Sequence, residues 1–162
     1  MHIVYLGVGS NIGNKLKNCL KGIDLFIELT GSSLNSCSQF YKTEPLYYID
    51  QDYFVNGVFN IITDLDYLTI FKIAKEVEKK LGRNHKSIRY GPRIIDIDLL
   101  FYDDLVVNTE ILTIPHPNMH ERTFVLKPFC DINPEWKHPV IKKTVLEMLN
   151  MVSDKSKVVL IK

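Results

Sequence analysis

The chain has 162 residues, one domain's worth at about 150 residues per domain and enough for a core that needs no disulfide or structural metal. Hydrophobic residues make up 46% and charged residues 24%, with Gly and Pro sparse, which excludes a low-complexity or disordered chain. Twenty Lys/Arg against nineteen Asp/Glu leave a net charge of +1, so no broad basic surface for nucleic acid is indicated.

In chain order, residues 2–8 form a short apolar run that reads as a buried strand. The turn-rich Gly9-Ser10-Asn11-Ile12-Gly13-Asn14 follows. Leu16, Leu20, Ile23 and Ile27 then recur at helical spacing from Lys15, and Gly31 is a fitting stop. Residues 33–43 read as one strand and 44–52 as a loop. Residues 53–63 read as a further strand. The spacing of Leu68, Phe71, Ala74, Val77 and Leu81 predicts a helix over 67–81, capped by Asp66 and ended near Gly82. Residues 94–101 read as a strand, with 105–107 expected to pair with it across the Asp103-Asp104 turn. Beyond Pro115 the chain is loop-rich, with short helices expected near 123–130 and 144–151. The order β-α-β-β-α-β implies an α+β fold of ferredoxin-like type, two helices over one face of a mostly antiparallel sheet. A single domain over residues 1–162 is expected.

The N-terminal MHIVYLGVGSN has neither a basic flank nor a long apolar stretch, so no secretory leader is expected. No run approaches the 18 or more apolar residues of a membrane span. Cys19, Cys37 and Cys130 are odd in number, widely spaced and form no CxxC pair. A disulfide framework or zinc ribbon is therefore not expected, and a reducing, cytoplasmic setting is.

The densest chemistry lies between Lys79 and Leu100. From Lys79 to Arg93 there are six cationic side chains (Lys79, Lys80, Arg83, Lys86, Arg89 and Arg93) and no acid. Asp96 and Asp98 come directly afterwards. Arginine grips phosphate oxygens in bidentate fashion. Carboxylates hold Mg²⁺, which bridges and neutralises phosphoryl oxygens. Side chains two apart on a strand share a face, so Asp96 and Asp98 project together while Ile95, Ile97, Leu99 and Phe101 fill the opposite, core face. Two neighbouring carboxylates repel unless a cation sits between them. The plain alternative is a solvated strand face beside a basic loop. His116 and His120 stand four apart, but Pro115 and Pro117 argue against a helix that would make them a metal pair.

Residues 89–100, Arg-Tyr-Gly-Pro-Arg-Ile-Ile-Asp-Ile-Asp-Leu-Leu, closely resemble the signature of the 6-hydroxymethyl-7,8-dihydropterin pyrophosphokinase family of folate biosynthesis. Gly9-Ser10-Asn11, Phe40-Tyr41-Lys42-Thr43-Glu44-Pro45-Leu46, Phe54-Val55-Asn56, Pro115-His116 and Arg122-Thr123-Phe124 resemble its other motifs, in order, over residues 3–129. The resemblance implies a ferredoxin-like fold. It also implies transfer of diphosphate from ATP, the co-substrate, to the hydroxymethyl group of a reduced pterin with release of AMP, using two Mg²⁺ held by Asp96 and Asp98.

By the same resemblance Arg83 and Arg93 join the aspartates as catalytic residues. Glu78, Arg83, Tyr90, Arg93, Leu99, Thr113, His116 and Arg122 are expected at ATP. Gly9, Thr43, Leu46, Phe54, Asn56, Asp96 and Phe124 are expected at the pterin. A flat heteroaromatic ring suits two aromatic faces, and an amide such as Asn56 offers a donor and an acceptor to its edge. Read alone, Glu78 would be an exposed helix residue and each Phe a core residue. The chain departs from the family pattern at Glu44 (commonly small or Pro), His85 (commonly Arg), Tyr90 (commonly Trp) and Pro117 (commonly aromatic). The loops 45–52 and 83–91 read as candidate lids. A monomer is expected, with weak association with a folate-pathway enzyme as a further partner, and no nucleic acid or membrane.

Two rival readings share part of this pattern. Nucleotidyltransferases also carry Gly-Ser and a DxD, but place them close together on one strand–helix unit, whereas Ser10 and Asp96 lie far apart here. A ferredoxin-like RNA-binding module would need open aromatic strand faces and broad basicity.

Overall fold

Strand β1 (His2–Ser10) alternates: Val4, Leu6 and Val8 are buried against one layer of helices, and Tyr5 is buried against another. The computed structural model describes residues 1–82 and 89–162. Helix α1 (Lys15–Thr30) opens with the Asn14 side chain accepting from Lys17 N and closes at Gly31, whose φ of 63° suits glycine. Helix α2 (Tyr67–Lys80) is capped by Asp66, which accepts from Thr69 N. Strands β2 (Ser33–Cys37) and β3 (Tyr41–Thr43) both pair with the long β4 (Phe54–Thr63). Strand β5 (Asp96–Tyr102) pairs with β1, and β8 (Val158–Leu160) with β3, giving the order β5-β1-β4-β3-β8. Every pairing is antiparallel. This is the expected ferredoxin-like α+β arrangement, with β2 and β3 together in the place of its second strand.

Several expectations are corrected. The strand over 33–43 breaks at Ser38, whose hydroxyl replaces a ladder carbonyl by accepting from Val58 N (2.8 Å). Leu105–Val107 does not pair with β5. Instead β6 (Val107–Asn108) pairs with β7 (Thr113–Ile114) in a separate ribbon. The Asp103 turn, at φ 48°, is held to the start of β1 by Asp103 N to Ile3 O and Ile3 N to the Asp103 carboxylate.

The buried stripe of α1 runs through Cys19, Gly22, Ile23 and Phe26, while Leu20 is exposed. Gly22 fits that rotation: a Cβ there would stand 2.8 Å from Ile95 Cδ1 and would have to displace that side chain. In α2, Ile70 joins Ala74 and Val77 on the buried face, and Leu68 is exposed. The sheet is covered on both faces, not one. Helices α1 and α2 cover one; α3 (Thr123–Ile132) and α4 (Val145–Met151) pack Leu126, Phe129 and Val145 on the other, around Tyr5, Val58 and Phe101.

The assignment of Phe101 to the face of Ile95, Ile97 and Leu99 is also corrected. The β1–β5 register jumps from Tyr5↔Phe101 to Leu6↔Leu99, a bulge that leaves Leu100 over and reverses the alternation beyond it. Leu100 and Phe101 therefore both join the α3/α4 core. Each such fully buried side chain contributes about 1.5–3 kcal/mol. The bulge separates a half of this face packed under α3 and α4 from a half left open as a cleft.

Candidate active site

The uncovered half is a trough across three strands. Gly9 of β1 lies between Asn56 of β4 and Asp96 of β5, and Gly7 lies between Val58 and Asp98. Both glycines, both aspartates, Phe54 and Asn56 line one cleft of about 760 Å³ counting its open mouth. A middle strand without side chains makes the floor. A Cβ at Gly9 would stand 2.3 Å from Asn56 Oδ1, so the amide occupies the space that glycine leaves. Asn56 Nδ2 donates to Thr43 Oγ1 at 2.6 Å, which fixes the amide plane.

The carboxylates sit in an unbalanced field. Burial, then the Asp96 charge, push the Asp98 carboxyl up to about 7, with Glu78 adding and Lys75 and Arg122 opposing. Arg93 reaches Asp96 at 3.1 Å. The Nε atoms of Arg93 and Arg122 are both buried without a hydrogen-bond partner, and both residues line the cleft. Arg122 lies 5.4 Å from the Tyr47 ring and 5.6 Å from the Phe124 ring. Unmatched guanidinium donors beside paired carboxylates are what a polyanion carrying a divalent cation would complete.

Two loops roof the trough. Asn11 exchanges backbone and side-chain bonds with Arg93 (3.0 and 2.7 Å). Its Nδ2 donates to Gln51 Oε1 at 2.9 Å, and Gln51 Nε2 donates to Tyr90 O at 2.7 Å. The Tyr47 and Tyr90 rings stand 4.4 Å apart. Asn11, the last residue of the Gly-Ser-Asn turn, thus ties the 44–52 loop to the 89–93 segment.

Of the residues predicted from sequence, Gly9, Thr43, Leu46, Phe54, Asn56, Tyr90, Arg93, Asp96, Asp98, Arg122 and Phe124 meet at this cleft. Arg83 and His85 lie outside the described residues, as does most of the predicted 83–91 lid. Four others stand apart from the cleft lining. Leu99 is 5% exposed in the α1/α2 core, and Thr113 lies on β7. Glu78 is 2% exposed, not a solvated helix residue: its Oε1 accepts from Ile97 N at 3.1 Å, satisfying an amide on the outer edge of β5 between the two aspartates. His116 donates its backbone N–H to Leu100 O on the same edge. Burial, then the Arg122 charge, lower its imidazole to about 4. Its Nδ1 accepts from Asn118 N, so the neutral ring carries its proton on Nε2.

Gly7, Tyr47, Gln51 and Gly91 also line the cleft and were not anticipated. Gly7 was within reach of the sequence, because two glycines at i and i+2 of a strand clear one face. Among the described residues no cluster of three or more metal-ligating side chains exists. Two carboxylates alone suit Mg²⁺ delivered with a nucleotide, since that ion keeps waters and phosphate oxygens as its other ligands.

A family model for 7,8-dihydro-6-hydroxymethylpterin-pyrophosphokinase matches residues 5–134. The chain is 35% identical over 147 residues to the 2-amino-4-hydroxy-6-hydroxymethyldihydropteridine pyrophosphokinase of Aquifex aeolicus, covering 91% of this chain and 90% of that protein. It is 38% identical over 148 residues to the folic acid synthesis protein fol1 of Schizosaccharomyces pombe, covering 91% of this chain and 20% of that protein. The chain spans about a fifth of the length of that relative and of its Dictyostelium discoideum counterpart. Its fold is similar to that of Plasmodium falciparum HPPK-DHPS with pteroate, with a TM-score of 0.74, 18% identity and coverage of 93% of this chain and 42% of that one.

Proposed function

The chain belongs to the 7,8-dihydro-6-hydroxymethylpterin-pyrophosphokinase family, and from that premise we propose that it transfers the β,γ-diphosphate of ATP to 6-hydroxymethyl-7,8-dihydropterin, releasing AMP, in folate biosynthesis. The observation that carries the reading is the trough itself. It sets a carboxylate pair and two partly unmatched arginines on one side of a glycine floor, and an amide between aromatic residues on the other.

The pterin is proposed to stack between Phe54 and Phe124, with its edge bonded by Asn56 and by backbone groups of Thr43 and Leu46. ATP is proposed to lie along the arginine side, its phosphates met by Arg93, Arg122 and Arg83, with Tyr90 and His116 as further contacts. Asp96 and Asp98 would hold Mg²⁺, two ions in the proposed count; bound there, magnesium supplies charge neutralisation of the phosphates and acidifies the hydroxyl. The substrate hydroxymethyl oxygen forms a bond to the β-phosphorus as the bond from that phosphorus to the α–β bridging oxygen breaks. AMP leaves with the electron pair and the hydroxyl proton passes to solvent. Arg93 and Arg122 hold the charge that develops on the phosphoryl oxygens, and the roof tied by Asn11 and Gln51 limits water. Glu78 and Leu99 support the carboxylates from the far side of β5, through Ile97 N–H and the helix-side core, and Thr113 stays among the proposed ATP contacts.

A single domain over residues 1–162, acting as a monomer in the cytoplasm, is part of this reading, as is weak contact with a second folate-synthesis enzyme. Among the described residues no helix is long and apolar enough to cross a membrane. Incubation with ATP, MgCl₂ and the reduced pterin alcohol tests the assignment. Equal amounts of AMP and pterin diphosphate are expected; ADP or free pyrophosphate in their place would contradict it.

A further inference from the structure

The chain beyond α4 returns to the cleft and touches both of its walls. Asp154 accepts from Thr123 N (3.0 Å) through Oδ2 and from Thr123 Oγ1 (3.1 Å) through its backbone carbonyl. Helix α3 has no side-chain cap of its own, because its N-cap residue is Arg122. The Asp154 carboxylate supplies that cap from another part of the chain, with charge of the sign a helix N-terminus favours. Thr123 stands between Arg122 and Phe124, so this bond fixes the first turn of the wall that carries both.

Three residues on, the same segment reaches the opposite wall. Glu44 N donates to Lys157 O at 3.2 Å, and a Glu44 carboxylate oxygen accepts from Lys157 N. Glu44 is exposed, follows Thr43, whose hydroxyl holds Asn56, and precedes Pro45 and Leu46. Past Lys157, β8 pairs residue by residue with β3, Val158 opposite Thr43 and Leu160 opposite Tyr41. Asp154 is itself held in a turn by accepting from Ser156 N and Ser156 Oγ. Residues 154–157 can span at most about 10 Å of extended chain. Two ring faces at contact distance from a third flat ring between them stand about 7–8 Å apart. A segment of fixed length, bonded at both ends, therefore limits how far the Thr43–Leu46 wall and the Phe124 wall can separate.

We propose that residues 154–157 form a strap that sets the width of the pterin subsite, with Glu44 and Asp154 as positioning residues. The inference rests on the pyrophosphokinase reading above. It gives Glu44, a departure from the family pattern in sequence, a structural assignment: an alanine or proline there has no carboxylate for Lys157 N.

The test is steady-state kinetics on the full chain and on Glu44→Ala, Glu44→Gln and Asp154→Ala, with KM for each substrate and the melting temperature measured together. Loss of one net hydrogen bond corresponds to about a fivefold rise in KM for the pterin alcohol in Glu44→Ala. KM for ATP should stay within about twofold, and the melting temperature should fall by no more than about 2–4 °C, the shift that one lost hydrogen bond produces in a chain of this size. Glu44→Gln keeps an oxygen for Lys157 N and should restore the pterin KM. Asp154→Ala should raise the pterin KM in the same direction; should it fail to fold, Glu44→Ala still decides. An unchanged pterin KM in Glu44→Ala, equal loss toward both substrates, or no rescue by Gln overturns the strap while the pyrophosphokinase reading stands. A parent chain that makes no AMP overturns both.

Discussion

Strand β5 has two faces, and they are built for opposite ends. Toward α1 and α2 it presents Ile97 and Leu99, buried in the core together with Ile95 just before the strand. Toward the cleft it presents Asp96 and Asp98; burial, then the Asp96 charge, raises the proton affinity of Asp98. One face stabilises the fold by removing apolar surface from water; the other holds repelling charge, which costs stability until a cation arrives. Adjacent residues of one strand thus separate folding from chemistry, and substitutions on the two faces should fail in different ways.

The sharpest contrast is between Asp98→Ala and Ile97→Ala. Asp98→Ala should lower turnover by about a thousandfold or more, as loss of a metal-binding carboxylate does. Its melting temperature should be unchanged or higher, because repulsion is relieved. Ile97→Ala should cost about 2–5 kcal/mol in denaturant unfolding while the folded fraction keeps near-parental turnover. Similar losses of both properties in both variants would erase the distinction.

Next in size is Gly9→Ala. The added methyl must displace the Asn56 amide, whose oxygen lies 2.3 Å from where the Cβ would be. KM for the pterin alcohol should rise about tenfold or more, with KM for ATP much less affected. Equal effects on both substrates would place Asn56 outside the pterin subsite.

Glu78→Ala probes the link between the faces. It leaves Ile97 N–H without its charged acceptor, so unfolding free energy should fall by about 1–3 kcal/mol. Turnover should fall too, although Glu78 does not line the cleft. A variant of parental stability would show that another group satisfies this strand edge.

A pH dependence bears on the charged face alone. A carboxyl whose folded pKa is raised binds more protons folded than unfolded between about 4 and 7, so stability falls as pH rises through that window. Relative to Asp98→Asn, the metal-free parent should lose stability from pH 5 to pH 8 and show no further change above it. A constant gap in melting temperature would contradict the raised Asp98 pKa.

Much of this was legible in the sequence because it depends on period. The i, i+2 aspartates, the two helices, the Asp66 cap and the Gly31 stop are local features. What escaped depends on contacts between distant segments. Ser38 breaks a strand only because its hydroxyl meets Val58 N. Phe101 changes faces only because β1 and β5 slip by one residue. Glu78 looks like a solvated helix residue until Ile97 N–H is placed against it. Strand β8 is too short to announce itself and exists by pairing with β3. At the site, the cluster of charge and the Asn in an apolar strand were visible. The bonds from Asn11 through Gln51 to Tyr90 were not, because they join three separate parts of the chain.

The central claim is that Asp96 and Asp98 together hold divalent cation against a nucleotide. Titration of Mn²⁺ into the chain with a non-hydrolysable ATP analogue, followed by electron paramagnetic resonance, tests it directly. The parent should immobilise about two ions per chain in the presence of the analogue, as two carboxylates plus phosphate oxygens allow, and Asp96→Asn or Asp98→Asn should lose that uptake. Undiminished Mn²⁺ immobilisation in both variants would contradict the account.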